Sequence, residues 1–201
     1  MIKNLIFDFG KVLVDYDFER TISGFFTDKA EADEFCSIFT SPEFLDRCDK
    51  EDIPFDDIIR DMQQKYPQYA DQAVMFGEHY VDYVLGEVVG IREILVEMKN
   101  RGYKLYGLTN WCSKVHDVMK KFDIFQLLDD RIISSEEHLI KPDVAIYNRL
   151  CEKFDLRPEE CVFADDKMPN VIGAISAGMH AIHFHNAQQY KRELETLIAE
   201  K

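Results

Sequence analysis

Leu5-Ile6-Phe7-Asp8-Phe9-Gly10 is an apolar run that ends in a carboxylate and a glycine. Residues 3–8 read as a short strand followed by a turn. Three further polar signals each fall at or just after the end of a predicted element: Thr109-Asn110, Lys141-Pro142 and Asp165-Asp166. Ligands of open α/β sheets bind in the crevice beyond the carboxyl ends of the strands. The four stations, far apart in sequence, are therefore expected to meet there. A carboxylate, a hydroxyl, a cation and a paired acid at one crevice suit metal-assisted phosphoryl chemistry.

Outward from the first strand the texture changes twice. From Asp17 to about Leu85 the chain shows helix-like periods rich in aromatics: 18–26, 30–39, 55–65 and 70–85, punctuated by Pro42, Pro54 and Pro67. Gly86 and Gly90 flank an expected return hinge. Beyond Gly90, helices and strands alternate. Helices are predicted at 91–101, 113–122, 143–154, 169–177 and 187–200, and strands at 104–109, 131–134, 161–164 and 180–184. Gly102 suits the end of the first of these helices, and Pro142 the first position of the third. Alternation of this kind predicts a parallel sheet with helices on both faces, a Rossmann-like α/β core. The predicted division is a core of residues 1–16 and 88–201, with a small helical cap of residues 17–87 inserted after the first strand. Phe25, Phe26, Phe35 and Phe39 read as the core of that cap.

Bulk properties narrow the function classes. The 201 residues are 46% hydrophobic and 31% charged, with a formal net charge of −14. Such a surface repels nucleic-acid phosphates and anionic lipid, so neither is expected as a partner. A small phosphorylated metabolite remains compatible, because a local cation inverts the field at a site. Five cysteines without a C-x-x-C pair read as reduced thiols. Met1-Ile2-Lys3-Asn4 leads straight into the first strand, with no apolar run of the ~20 residues that cross a bilayer. A cytoplasmic location is expected, and oligomeric state is not readable.

Each station also has a plainer role. Asp8 could cap a loop, Thr109 and Asn110 a helix, and Lys141 could sit in solvent. Asp165-Asp166 places like charges side by side, where a carboxyl shifts its pKa or recruits a cation. Hard oxygen ligands favour Mg²⁺, and Asn170 is positioned to orient the ligating carboxylate. His180, His183 and His185 crowd one strand without a matching third zinc ligand. Trp111 follows the Thr-Asn station and suits either the pocket wall or ordinary packing. The G-x-x-x-x-G-K-[ST] and G-x-G-x-x-G phosphate loops are absent.

Taken together, Phe7-Asp8-Phe9-Gly10, Leu108-Thr109-Asn110, Lys141-Pro142-Asp143 and Phe163-Ala164-Asp165-Asp166 resemble the motifs of the haloacid dehalogenase-like hydrolase superfamily, in the right order. The stretch from Asp8 to Asp17 is similar to bacterial sugar-phosphate phosphatases, notably the α-glucose-1-phosphate phosphatase branch. It is also similar to the phosphatase domain of bifunctional epoxide hydrolases. The resemblance implies a Mg²⁺-dependent phosphatase acting on a small phosphate monoester, such as a sugar phosphate. Asp8 would be the nucleophile that becomes an aspartyl-phosphate. Asp8, Asp166 and the Gly10 carbonyl would hold the metal with help from Asp165, and Thr109, Asn110 and Lys141 the phosphoryl oxygens.

One position departs from the pattern. Most phosphatases of the superfamily carry a second Asp two residues after the nucleophile as general acid/base, and this chain has Gly10. Three outcomes follow. The enzyme depends on a good leaving group, another group (Asp15, Asp17 or a cap residue) substitutes, or the protein binds phospho-ligands without turnover. A metal-independent dehalogenase is a further alternative, disfavoured by the paired acids. A carboxylate restored at position 10 is expected to speed slow substrates.

Overall fold

The computed structural model describes residues 1–199. Glu200, the expected last residue of the final helix, lies outside the described residues. Strand β1 (Asn4–Phe7) is followed by a short antiparallel pair, β2 (Val14–Tyr16) and β3 (Val84–Glu87). The remaining strands are β4 (Lys104–Thr109), β5 (Asp130–Ile133), β6 (Cys161–Asp165) and β7 (His180–His183). Five of them form one parallel sheet in the order β5-β4-β1-β6-β7. The fold is a Rossmann-like α/β architecture.

Five helices lie between β2 and β3: α1 (Phe18–Ser23), α2 (Lys29–Phe39), α3 (Pro42–Lys50), α4 (Phe55–Lys65) and α5 (Ala70–Glu78). Six more accompany the sheet: α6 (Ile91–Asn100), α7 (Val115–Lys121), α8 (Ser134–Glu137), α9 (Val144–Phe154), α10 (Met168–Ser176) and α11 (Ala187–Ala199). Side chains of β1 alternate between the two faces. Leu5 and Phe7 join a cluster with Leu95 of α6, Val118 of α7 and Tyr190 of α11. Ile6 joins another with Tyr147 and Leu150 of α9 and Ala174 of α10. Period-two alternation in a strand covered on both sides explains why β1 reads as continuously apolar.

The register of the central strands does the positioning. Phe7 pairs with Gly107 of β4 and Ala164 of β6. One residue further along, Asp8 therefore lies level with Leu108 and Asp165. On β6 the motif residue Asp165 is thus level with Asp8, and on β4 Thr109 lies one position further, all at the carboxyl ends of parallel strands.

Several predicted boundaries are corrected. The segment 70–85 is not one helix. It breaks at His79 into a 3₁₀ turn, Tyr80–Tyr83, and then strand β3. The break lets Tyr80 and Tyr83 pack edge-on, with ring centroids 5.5 Å apart, around Phe76. Helix α3 was not anticipated, although Ser41 caps it through the Phe44 N–H and Pro42 stands in its first turn. Pro142 does not open α9. Asp143 is the N-cap, accepting from Ala145 N at 2.9 Å, and Lys141-Pro142 forms the cis-linked approach to it. Gly102 does follow α6, at φ 91°. Among the described residues all five cysteines are free thiols. No helix there is long and apolar enough to cross a membrane.

Candidate active site

At the carboxyl end of β1, Asp8 is 7% exposed, and beside it Asp165 is fully buried. Two carboxylates this close would repel strongly without a cation. Lys141, 3% exposed, supplies it. Its Nζ lies 3.0 Å from Asp8 Oδ1 and 2.7 Å from Asp165 Oδ2, and donates to the Leu108 carbonyl at 3.0 Å. Three donors meet three acceptors, so the buried ammonium is fully satisfied. Burial alone would lower its pKa, but Asp165 and Asp8 outweigh burial and hold it above its ordinary value. Asp8 moves the other way. Burial pushes its carboxyl up to about 7 against the pull of Lys141, with Asp165 and Asp166 adding to the rise.

The loop that delivers Lys141 is braced by Asn110. The Asn110 side chain accepts from Lys141 N at 2.8 Å and donates to Lys141 O at 3.0 Å. The family resemblance gave Asn110 to a phosphate without saying through which of its groups. The structure gives both polar ends of the side chain to the Lys141 main chain, leaving the Asn110 N–H for a ligand. On the other side, an added Cβ at Gly173 would stand 2.6 Å from the Pro142 carbonyl, so glycine is what lets α10 close on this loop.

The paired acids are not equivalent. Asp165 Oδ1 accepts from Lys167 N at 2.8 Å, and Asn170 Nδ2 lies 3.0 Å from both of its oxygens. Asn170 thus orients Asp165, and not Asp166 as its spacing had suggested. Its own carbonyl accepts from the Tyr147 hydroxyl at 2.7 Å. Asp166 is half-buried and its carboxyl is raised, by burial and then by Asp165. His183 donates through Nε2 to the Asp166 carbonyl at 2.8 Å, so this histidine holds the acidic turn in place. One oxygen each of Asp8, Asp165 and Asp166 lie within 4.8 Å of one another, close enough to share a cation. Thr109 is 1% exposed, and its hydroxyl has no hydrogen-bond partner among the described residues. A buried unpaired hydroxyl is costly, and it is what a missing ligand oxygen would leave.

Above these groups lies a cavity walled by Asp8, Gly10, Asn110, Lys141 and Asp166 from the sheet side. Tyr16 and Trp111 line it too, and the helical insertion adds Phe18, Leu45, Asp49, Tyr80 and Tyr83. Trp111 is therefore a wall residue as well as 93% buried packing, since it is 7% exposed. Sequence reasoning missed Tyr16 and Asp49. Tyr16 ends β2, a three-residue strand too short to be read from the sequence, and Asp49 lies on helix α3, away from the strand ends where the motif logic looked.

Position 10 has a structural reason to be glycine. A Cβ there would lie 2.8 Å from Cε1 of the Tyr16 ring. Lys11 Nζ holds that ring in place, binding Asp15 Oδ1 and the Tyr16 carbonyl at 2.6 Å each and lying 4.7 Å from the ring centroid. The expectation that Gly10→Asp speeds slow substrates is thereby revised. We expect it to lower stability by about 1–3 kcal/mol through overpacking and to reduce activity. A thermal melt beside a phosphate-release assay checks this, and a faster variant of unchanged stability would contradict it.

The family model described as haloacid dehalogenase-like hydrolase matches residues 5–184. A HAD-like family hydrolase from Porphyromonas gingivalis has a similar structure, with TM-score 0.79 and 20% identity over 100% of both chains. A HAD family enzyme from Bacteroides thetaiotaomicron, solved with magnesium and inorganic phosphate, gives TM-score 0.73 and 20% identity over 92% of this chain and 96% of that one. A sesquiterpene phosphatase from Aspergillus oryzae is 30% identical over 106 residues, which are 52% of this chain and 54% of that protein. The chain thus spans about half the length of that curated relative. With the family model covering all of the sheet but Asn4 and every residue of the Asp8–Lys141–Asp165 cluster, the chain belongs to the haloacid dehalogenase-like hydrolases.

Proposed function

We propose that this protein is a Mg²⁺-dependent phosphatase of small phosphate monoesters, sugar phosphates among them, working through an aspartyl-phosphate on Asp8. One observation carries the reading. Three clustered carboxylates and Asp49 of the insertion line a site with two ammonium groups, buried Lys141 and exposed Lys167, so the site holds excess negative charge beside a Thr109 hydroxyl without a partner among the described residues. A dianionic ester would be repelled from such a site unless a cation joined it. The donor set fits one: oxygen ligands only, with Asp166 making no side-chain hydrogen bond or ion pair among the described residues. Asp8, Asp166 and the Gly10 carbonyl would hold Mg²⁺, which when bound neutralises charge on the phosphoryl oxygens. Asp165 would serve by fixing Lys141.

The chain's own residues then have distinct tasks. Phe9 N donates to Asp8 Oδ1 at 2.7 Å, and Lys141 faces the same oxygen, which leaves Oδ2 to attack phosphorus. The Thr109 hydroxyl and the Asn110 N–H would bind phosphoryl oxygens, where fixed donors favour the developing charge. The insertion would act as a cap that excludes bulk water and selects the alcohol. Its aromatic walls, with Tyr16 and Trp111, offer apolar faces and polar rims suited to a sugar.

The test is phosphate release from a panel of monoesters, with halide release from haloacids alongside. EDTA should remove phosphate release and Mg²⁺ restore it. Asp166→Ala should weaken Mg²⁺ activation by more than the roughly 10–100-fold typical of groups one step from the ion. Asp165→Ala should stay within that range and lose stability instead. The reverse ranking in a Mg²⁺ titration would move the ligand role to Asp165. Metal-independent halide release would replace the phosphatase reading altogether.

A further inference from the structure

We propose that Asp49, on the helical insertion, is the general acid/base that Gly10 cannot be. The proposal rests on the phosphatase reading above and names the residue that completes its chemistry. The candidates near the nucleophile are already committed. Asp15 accepts from Lys11 at 2.6 Å and from Tyr16 N at 2.9 Å. Asp17 caps α1, accepting from Arg20 N at 3.0 Å. Asp49 lines the cavity, and among the described residues its carboxylate makes no hydrogen bond or ion pair.

Its position is fixed by the end of α3, which is latched to the sheet-side loops. The Ser134 hydroxyl donates to the Asp49 carbonyl and accepts from Trp111 N at 2.9 Å. Two residues on, Glu51 accepts from Ser113 N at 2.6 Å and from the Ser113 hydroxyl at 2.8 Å. His138 bonds the Lys50 carbonyl at 3.1 Å. Three consecutive residues of the insertion are thus tied to the loop that follows β4 and to the two ends of α8, which follows β5. The latch presents Asp49 to the cavity from the insertion, whereas Asp8 enters from β1. In-line displacement needs the leaving oxygen to depart away from the nucleophile, which is the side an acid on the insertion can serve.

The proton state suits the role. Burial pushes the Asp49 carboxyl up to about 7, with Lys167 and Lys141 opposing the rise and Asp46 and Asp8 adding to it. A carboxyl near neutrality is suited both to give and to accept a proton. In the first step the bond from Asp8 to phosphorus forms and the bond from phosphorus to the leaving oxygen breaks. The Asp49 proton goes to that oxygen, releasing an alcohol. In the second, water attacks phosphorus, its proton passes to Asp49, and the Asp8–phosphorus bond breaks to free phosphate.

Asp49→Asn keeps the shape and removes the proton. With Mg²⁺ present, kcat/KM for alkyl phosphates should fall by about 10²–10⁴-fold, and for 4-nitrophenyl phosphate, whose leaving group needs no proton, by less than about tenfold. A steep dependence on leaving-group acidity then belongs to the variant, not to the wild type. kcat should fall for both substrates, because the second step has lost its base. Tyr16→Phe tests the wall hydroxyl that neighbours Gly10 and should keep the wild-type slope, whatever it does to KM. A uniform loss across the series, no loss, or the alkyl-selective pattern appearing in Tyr16→Phe would overturn Asp49 while leaving the phosphatase reading intact. Wild-type protein that releases no phosphate from any ester overturns both.

Discussion

Asp8→Asn should reduce phosphate release by about 10⁶-fold, the scale seen when a covalent nucleophile is removed, and should stabilise the metal-free protein. Both effects come from one carboxylate. On the proposed reading its second oxygen would be the attacking atom, and an amide in its place neither attacks nor carries charge. Stability follows from the direction of the pKa change. Burial raises the folded-state value from 3.8 to about 7, so between those values the folded protein keeps a proton that the unfolded chain has lost. Stability from this group therefore falls as pH rises through that window. The variant's gain should be absent below 3.8 and fully present above about 7. Thermal melts of EDTA-treated protein at acid and neutral pH read it directly. A gain that is largest in acid would mean that Asp8 is stabilised as an anion without metal, and wild-type turnover would remove it as nucleophile.

Much of this site was legible because parallel strands are written into the sequence as apolar runs with a polar residue at the end. Asp8, Thr109 and Asp165 each follow such a run, and strand register alone makes Asp8 and Asp165 neighbours. Lys141 was legible only by its order among the other motifs. Its ammonium reaches the cluster through a loop held by Asn110, a side-chain-to-backbone contact that no periodicity encodes. Asn170 was read as serving Asp166 and serves Asp165, because the turn after β6 directs the two adjacent carboxylates differently. The insertion was hardest to read. Its aromatics announce a core, with Phe35 and Phe39 fully buried and stacked at 4.0 Å. A helical period shows which face of α3 is apolar, through Phe44 and Cys48. It does not show that the next residue, Asp49, faces the cavity, since that depends on the distant latch at Ser113, Ser134 and His138. The β2–β3 pair was missed for a related reason: strands of three and four residues are too short to show alternation.

Lys141→Met should cost about 3–5 kcal/mol, the penalty for breaking a buried ion pair by removing one partner. At this chain length that corresponds to a fall of roughly 6–20 °C in Tm. Methionine fills much of the same volume, so the loss isolates charge from packing. Asp8 and Asp165 would then face each other with no cation between them, and the Leu108 carbonyl would lose its donor. Asp165 keeps the Lys167 N–H and Asn170. Asp8 keeps the Phe9 N–H, so Asp8 is the group whose proton affinity should rise most. A carboxyl raised further in the folded state makes the deficit grow with pH and shrink in acid, where both states are protonated. Melts of the metal-free variant at pH 5 and pH 8 should therefore diverge from the wild type most at pH 8. Saturating Mg²⁺ should recover part of the loss, because a bound cation replaces some of the missing positive charge. Activity should not recover with it, since Asp8 would no longer be oriented by the ammonium. Equal melting of variant and wild type at pH 8 would mean that Lys141 is not the charge that lets three acids meet at the ends of two neighbouring strands.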